Sequence, residues 1–152
     1  MSAALPKSSF RTAVPSLTWQ GASLAVEAAL RRAEELGIRV NAAAVDCGGT
    51  TLSFLRMTGA FAASDDIAVD KAWNAATFGF ATDQWLQLIG DSERLRLGLA
   101  MRPRVSVIGG GLPIVLDGER VGGIGVSGGT EAEDIDCARA ALAALGAAEV
   151  TV

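Results

Sequence analysis

The sequence predicts a mixed α/β (α+β) fold in which helices pack on the faces of a mainly antiparallel sheet. Apolar, β-like segments flank a Gly48-Gly49 turn, and a second pair flanks an Asp117-Gly118 turn. Both patterns are typical of β-hairpins, which join antiparallel strands. Apolar residues that recur every three or four positions predict helices in the segments around the hairpins. The predicted order is helix, hairpin, helix, helix, strand, hairpin, helix, which favours layers of helix and sheet around one core.

The first predicted helix runs from Trp19 to Gly37. Thr18 is of the residue type that caps helix N-termini, and glycine is typical of helix C-termini. Residues 1–17 contain two prolines and are predicted to form an extended N-terminal arm. Residues 18–152 are predicted to form a single domain.

The first predicted hairpin pairs a strand at Arg39–Asp46 with one at Thr51–Met57. Asp46 ends an apolar strand beside a glycine turn. Such an acid either bonds nearby backbone N–H groups of the turn or lies in a pocket, and the turn role is favoured. Cys47 and Thr50 belong to the same turn.

The second predicted helix, Ser64 to Phe80, contains an unusual lysine. Lys71 lies in a row of otherwise apolar residues, and no acid of its own helix is correctly spaced to pair with it. Its amine must therefore reach solvent, an acid of another element, or an anionic ligand. The simplest interpretation is a stem that covers apolar surface while the amine stays in water.

A third helix is predicted from Thr82 to Leu99, with Gly90 as a candidate break, and a short strand at Val105–Ile108. A basic run falls in this region and comprises Arg94, Arg96, Arg102 and Arg104. Such a run is usually a solvated face or part of an oligomer contact. Its alternative use is to attract an acidic small molecule.

The stretch from Gly109 to Thr130 is rich in glycine and includes the second hairpin, Pro113 to Val126. Because glycine in strands costs conformational entropy, backbone must approach either other backbone or a ligand closely here. Thr130 and Glu133 form a capping box for a final helix from Glu131 to Gly146. The N–H groups at Gly128, Gly129 and Thr130 are predicted either to hold a carboxylate or phosphate or to form a plain capped turn.

The composition excludes several classes of protein. The net charge of −4 and the pI of about 4.8 argue against a nucleic-acid surface. No apolar run is long enough to span a membrane, and the first residues lack a signal-peptide core, so a cytoplasmic protein is expected. The sequence contains neither histidine nor tyrosine. This removes Ser-His-Asp and Cys-His catalytic units, and no metal site is predicted.

Four ordered motifs carry a family resemblance: VDCGGTTLSFLRMTGA, DIAVDKAWNAATFG, GGGLPI and VGGIGVSGGTEAED. They closely resemble the GlcG/HbpS-like family, also called the haem-degrading domain family, which includes the C-terminal domain of PduO-type proteins. The resemblance covers residues 17–145. It implies a profilin-like, three-layer α/β/α fold with a five-stranded antiparallel sheet, and homo-oligomers. Some members bind haem, and others are linked to cobalamin or glycolate metabolism.

The chain departs from the family pattern at the first hairpin turn. Many relatives have a histidine where this chain has Thr50. Without histidine or tyrosine, an axial haem ligand would have to come from Met57, Met101, Cys47, Lys71 or Thr50. This departure lowers the expectation of haem binding.

Three functions follow, and the first is an enzyme that acts without a cofactor on an organic acid or polar metabolite. Lys71, Gly129 and Thr130 would bind the anion, with Arg56 as a second grip. Asp46 or Asp66 would move a proton, or Lys71 would act as the base, and Cys47 is a candidate nucleophile. The expected chemistry is that of an isomerase, lyase, cyclase or hydrolase. The alternatives are a haem-binding or haem-sensing protein and a non-catalytic accessory oligomer.

Overall fold

The computed structural model describes residues 4–151 of the chain. Four strands form the sheet: β1 (Asn41–Asp46), β2 (Thr51–Arg56), β3 (Gly111–Leu116) and β4 (Glu119–Ser127). Five α-helices surround it: α1 (Trp19–Leu36), α2 (Ser64–Phe78), α3 (Trp85–Ile89), α4 (Glu93–Ala100) and α5 (Glu131–Ala144). Within the predicted N-terminal arm, a short 3₁₀ helix spans Lys7–Phe10. Residues 1–3 of that arm lie outside the described residues.

The sheet is antiparallel throughout, with the strand order β2-β1-β4-β3. The central strands β1 and β4 pair from Asn41 with Ser127 at one end to Asp46 with Gly122 at the other. Because consecutive side chains of a strand point to opposite faces, β1 contributes to two cores. Ala42 and Ala44 pack on one face, and the intervening residues of β1 on the other.

Helices cover both faces of the sheet, which gives three layers. The helices α1 and α5 pack on the face that carries Ala42 and Ala44 and enclose the larger core. The helix α2 lies on the opposite face, against β1 and β4. The mixed α/β class with an antiparallel sheet is therefore confirmed.

The predicted count of five strands is wrong for this chain, because the described residues contain four. The segment Val105–Ile108, predicted as a strand, has no regular structure. Residues with positive φ flank it, Arg104 at 72° and Gly110 at 117°. These left-handed conformations turn the backbone out of the extended path that a strand needs.

Close approach of backbone to backbone explains the glycines of β4. A Cβ atom on Gly123 would overlap the carbonyl oxygen of Ala72, and one on Gly125 would overlap that of Ala68. These glycines thus let α2 lie directly on the sheet, and the entropy cost of each, about 0.5–1 kcal/mol, is small beside such a steric overlap. Of the two explanations predicted for this stretch, backbone contact applies to Gly123 and Gly125.

Several residues predicted to begin, end or interrupt a helix, or to form a turn, do so in the structure. Thr18 accepts a hydrogen bond from the N–H of Gly21, and Gly37 ends α1 in the left-handed conformation with φ of 72°. Asp117 and Gly118 both have positive φ, as a tight hairpin turn requires. The predicted third helix is divided at Gly90 into α3 and α4.

Candidate functional site

Lys71 is a charged side chain in the interior, 1% exposed, at the contact between α2 and β4. Its Nζ donates hydrogen bonds to the carboxylate Oδ2 of Asp134 at 2.9 Å and to the carbonyl oxygen of Val126 at 2.8 Å. Of the alternatives open at the sequence level, the amine has reached an acid of another element. We refer to Lys71 and Asp134 as the buried pair.

Asp134 lies in the first turn of α5 and is 3% exposed. Its second oxygen, Oδ1, accepts a hydrogen bond from the N–H of Gly129 at 2.9 Å. The next N–H, that of Thr130, donates to Glu133 Oε2 at 2.8 Å and so completes the capping box. The start of α5 therefore binds carboxylates of its own chain, where negative charge is favoured by the helix dipole.

Burial shifts the pKa of both members of the buried pair towards the neutral form. Desolvation lowers the pKa of Lys71 below its ordinary value, and attraction to Asp134 opposes that shift. Desolvation likewise raises the pKa of Asp134, against the attraction of Lys71 and the hydrogen bond from Gly129. Since both groups are inaccessible, a proton on either cannot pass directly to a ligand at the surface.

The Asp46–Thr50 turn lies at the opposite end of the sheet from the start of α5. The residue that precedes Gly128 pairs with Asn41, the first residue of β1, whereas Asp46 is its last residue. From the first to the last residue of β1 there are five steps along the strand, which correspond to a distance of about 17 Å. The structure therefore does not bring Gly128–Thr130 and this turn together in one pocket.

Within that turn, Asp46 bonds to backbone. Its Oδ1 accepts hydrogen bonds from the N–H groups of Gly48 and Thr50, both at 2.9 Å. Cys47 is half-buried, and its N–H donates to Ser16 Oγ at 3.2 Å. The catalytic and ligand-binding roles predicted for Asp46, Cys47 and Thr50 stay predictions.

The two remaining predicted residues lie on separate parts of the surface. Asp66 is exposed in the first turn of α2. Arg56 donates from Nη2 to the carbonyl oxygen of Ala60 at 2.6 Å and lines an open cleft of about 690 Å³ together with Arg39. Their predicted roles also stay predictions.

Sequence reasoning missed an apolar groove between α3, α4 and the irregular segment at 105–107. Its volume is about 320 Å³. We call it the α3–α4 groove and define it by its lining residues: Leu86, Ile89, Arg96, Leu99, Ala100, Val105 and Val107. The only charged side chain among them is Arg96, whose Nε donates to the carbonyl oxygen of Gly90 at 3.2 Å.

The α3–α4 groove is part of a surface with many exposed apolar side chains. Helix α4 has no buried residue, although half of its positions are leucine or alanine. Seven large apolar side chains between positions 86 and 108 are exposed: Leu86, Leu88, Leu95, Leu97, Met101, Val107 and Ile108. Because large exposed apolar patches mark binding sites for ligands or other proteins, we treat this surface as a candidate site.

Polar and aromatic contacts fix the walls of the groove to the rest of the fold. Arg104 lies beside Asp70 of α2 at 3.1 Å and over the ring of Trp73 at 4.7 Å. Further along the segment, the N–H of Gly109 donates to Glu131 Oε1 at 2.8 Å. Trp85 holds α3 by an edge contact with Phe78 of α2, with ring centroids 4.7 Å apart. These contacts therefore hold the walls of the groove against α2 and α5.

One sequence signal could have revealed the groove. Arginine and leucine alternate from position 94 to 97, in a run with few acids. The arginines of this run predict a charged face, but the leucines between them are exposed as well. Leucines that lie on a short helix without a core beneath them are the signal that was missed.

Residues 4–151 hold no group of three or more His, Cys, Asp or Glu side chains that could bind a metal ion. Within the same range, no helix is long and apolar enough to cross a membrane.

Comparison with known proteins identifies relatives of this chain. A family model described as "Haem degrading protein HbpS-like" matches residues 17–143. An uncharacterised 15.0 kDa protein of Citrobacter freundii, encoded in the dhaT-dhaS intergenic region, is 35% identical over 85% of this chain and 92% of its own length. The corrinoid adenosyltransferase PduO of the same organism is also 35% identical, over 94% of this chain but only 43% of its own length.

Solved structures are similar over nearly the whole chain. Protein ORFY of Klebsiella pneumoniae is 32% identical, with a TM-score of 0.84 over 97% of this chain and 100% of its own. A complex of PduOC with haem is 30% identical, with a TM-score of 0.81 over 90% and 99%. HbpS itself is 33% identical, with a TM-score of 0.82 over 95% and 99%.

These findings correct the first function predicted from the sequence, an enzyme that transfers protons without haem. A haem-degrading family and a relative solved with haem point instead to haem, the alternative that the sequence left open. Lys71, the anion-binding group or base of that predicted enzyme, is held inside the protein by Asp134, and the role predicted for it stays a prediction.

Proposed function

The chain belongs to the HbpS-like family, and from that premise we propose that it binds haem in the α3–α4 groove. The observation that carries the proposal is the match to a relative whose structure was solved as a haem complex, 30% identical over 90% of this chain. The adenosyltransferase activity named for PduO is not part of the proposal, because this chain spans only 43% of that protein.

Two properties of the groove support haem as its ligand. Haem presents a flat apolar macrocycle, and six of the seven lining residues are aliphatic. Haem also carries two propionates, and Arg96 at the wall can form charge-assisted hydrogen bonds with a carboxylate. The volume of about 320 Å³ lies at the low end for ligand pockets, and the exposed leucines of α3 and α4 would add apolar contact beside it.

Each group of residues would have a separate role. The aliphatic side chains of α3 and α4 would exclude water from one face of the ring, and burial of apolar area would supply most of the affinity. Arg96 would orient the propionate edge. Bound haem would bring its redox-active iron to this surface.

Titration with haemin, followed by the Soret absorbance, tests the proposal. We expect saturable binding of one haem per chain. Leu86→Glu removes apolar contact and sets a carboxylate near the propionates, so the dissociation constant should rise at least tenfold, which is about 1.4 kcal/mol. Leu24→Glu makes the same change at a similarly exposed leucine of α1 and should leave binding unchanged.

A second matched pair of variants distinguishes the effect of Arg96 on haemin binding from a general effect of positive charge on α4. Arg96→Gln should weaken haemin binding, whereas Arg94→Gln, on the same helix but outside the groove lining, should not. Equal titration curves for Leu86→Glu and Leu24→Glu would place the haem elsewhere. A non-saturable response of the wild-type protein would reject haem binding.

Other features that the family resemblance implies remain proposals. Homo-oligomer formation is supported by the edge strand β2, where Phe54 and Leu55 are exposed and one side of the backbone has no strand partner among the described residues. A profilin-like relationship, a single domain over residues 18–152 and a cytoplasmic location stay predictions.

A further inference from the structure

Another cavity lies at the end of the sheet, between α1 and the loop that follows β2. Its volume is about 690 Å³, and it has no lining residue in common with the α3–α4 groove. We call it the arginine cleft and define it by its lining residues: Leu30, Glu34, Arg39, Arg56, Met57 and Thr58. Two of these side chains are positively charged and one is negatively charged, although the net charge of the chain is −4.

The pairing of β1 with β2 brings the two arginines of the cleft together. The N–H of Met57 donates to the carbonyl oxygen of Val40 at 3.1 Å, which extends the pairing beyond the ends of both strands. In this register Arg39 is the diagonal neighbour of Arg56, and such neighbours lie about 7–8 Å apart on the same face. The stem of Arg39 packs beside the loop after β2, because a Cβ atom on Gly59 would lie 4.0 Å from its Cγ.

Neither of the two guanidinium groups forms an ion pair with an acid among residues 4–151. Arg39 donates from Nη1 to the carbonyl oxygen of Ile38 at 3.3 Å, and Arg56 donates from Nη2 to that of Ala60 at 2.6 Å. Three other arginines bond to a carboxylate at 2.8–3.1 Å: Arg32, Arg104 and Arg139. Because a guanidinium has five N–H donors, most donors of Arg39 and Arg56 are available to a ligand.

The loop after β2 is held in place by hydrogen bonds. Besides the bond from Arg56 to Ala60, the N–H of Ala60 donates to the carbonyl oxygen of Met57 at 3.0 Å. The buried side chain of Asn41 donates from Nδ2 to the carbonyl oxygen of Phe61, also at 3.0 Å. These bonds fix one guanidinium before any ligand arrives, which lowers the entropy cost of binding.

We propose that the arginine cleft binds a small molecule through a single carboxylate or phosphate group, at a site separate from that of haem. Arg39 and Arg56 would hold the anionic group by charge-assisted hydrogen bonds. Leu30 and Met57 would contact an apolar part of the ligand. With Glu34 in the lining, the cleft carries a net charge of +1, which complements one anionic group better than several.

Nuclear magnetic resonance titrations of the full chain test the proposal, with sodium butyrate and inorganic phosphate as separate probes at constant ionic strength. The readouts are the Nε–H signals of the arginines and the dissociation constants that they give. We expect saturable shifts of the Arg39 and Arg56 signals with at least one anion, which identifies the bound group as carboxylate or phosphate. Butyramide, which has the shape of butyrate without its charge, should cause no shift.

Three variants at exposed positions localise the site. Arg39→Gln should raise the dissociation constant of the bound anion about tenfold, because it removes charge-assisted hydrogen bonds. Glu34→Gln removes the negative charge of the lining and should lower that constant by about two- to fivefold. Arg94→Gln changes an exposed arginine outside the cleft lining and should leave it unchanged. The other signals of each spectrum check that the variant is folded.

Three results would overturn the inference. One is the absence of saturable shifts with both anions, and another is an equal dissociation constant for Arg39→Gln and the wild type. The third is weaker haemin binding by Arg39→Gln, which would show that the cleft serves haem and not a second ligand. Failure of the proposed haem-binding function looks different, because the titrations with butyrate and phosphate contain no haem and would still saturate.

Discussion

The buried pair and the α3–α4 groove are the two regions where this protein departs from the usual distribution of residues. In the buried pair, charged side chains lie at 1% and 3% exposure inside the fold. In the α3–α4 groove, aliphatic side chains lie at the surface on a helix without a single buried residue. Buried charge and exposed apolar surface are the observations that most often carry information about a protein.

The comparison shows that an unusual residue is not by itself a functional one. Lys71 has the chemistry of a catalytic residue, yet both of its hydrogen-bond partners belong to the same chain, so we interpret it as structural. The leucines of α3 and α4 have no special chemistry, yet nothing in the described fold covers them. In this protein, apolar side chains that no other element covers indicate a binding site better than a buried side chain with a shifted pKa.

The largest effect is expected when one member of the buried pair is removed. Asp134→Ala leaves the Lys71 ammonium buried without its counter-charge, and the free energy of unfolding should fall by about 3–5 kcal/mol. Urea unfolding at neutral pH measures it. The double variant Lys71→Met/Asp134→Leu replaces the pair with apolar groups and should recover most of the loss. Single variants within about 1 kcal/mol of the wild type would mean that the pair is not a structural unit.

A smaller effect is expected from pH, measured as the difference in unfolding free energy between the wild type and that double variant. Because burial raises the pKa of Asp134, the folded protein keeps a proton that the unfolded chain releases above about pH 3.8, and wild-type stability should fall as pH rises from there. Because burial lowers the pKa of Lys71, the unfolded chain keeps its proton up to about pH 10.5, and stability should rise again towards that pH. A difference that does not vary with pH would contradict both shifts.

The smallest effect is expected on α4. Leu97 is 61% exposed, so Leu97→Gln should change the free energy of unfolding by less than about 0.5 kcal/mol. A buried leucine gives the contrast: Leu142→Ala on α5 should lower the free energy of unfolding by about 2–5 kcal/mol. Chemical denaturation at low protein concentration measures both. A large loss for Leu97→Gln would show that α4 is packed in solution, for example in an oligomer.

Much of the fold could be predicted because its signals are local. Thr18 and Gly37 bound α1, and Asp117-Gly118 forms the second hairpin turn, because a few consecutive residues decide each of these conformations. The resemblance carried by the four family motifs implied the layered arrangement of helices and sheet. The strand predicted at 105–108 is wrong because the apolar composition of the segment suits a strand but does not reveal the positive φ angles at Arg104 and Gly110.

The candidate site could be predicted less well because its contacts are distant in sequence. Nothing near Lys71 indicates that its partner is Asp134. The α3–α4 groove depends equally on non-local contacts, since Asp70 and Glu131 hold the segment that forms one wall. Periodicity reports which residues share a helix face, but not whether another element covers that face.

The 63-residue separation of Lys71 and Asp134 also has a consequence for synthesis on the ribosome. At about 5–20 residues per second, the lysine emerges about 3–13 s before its counter-charge. For most of that interval α2 also lacks the complete strand β4, on which it lies. The buried pair can therefore form only after α5 has been synthesised, so folding of this layer must wait for that helix.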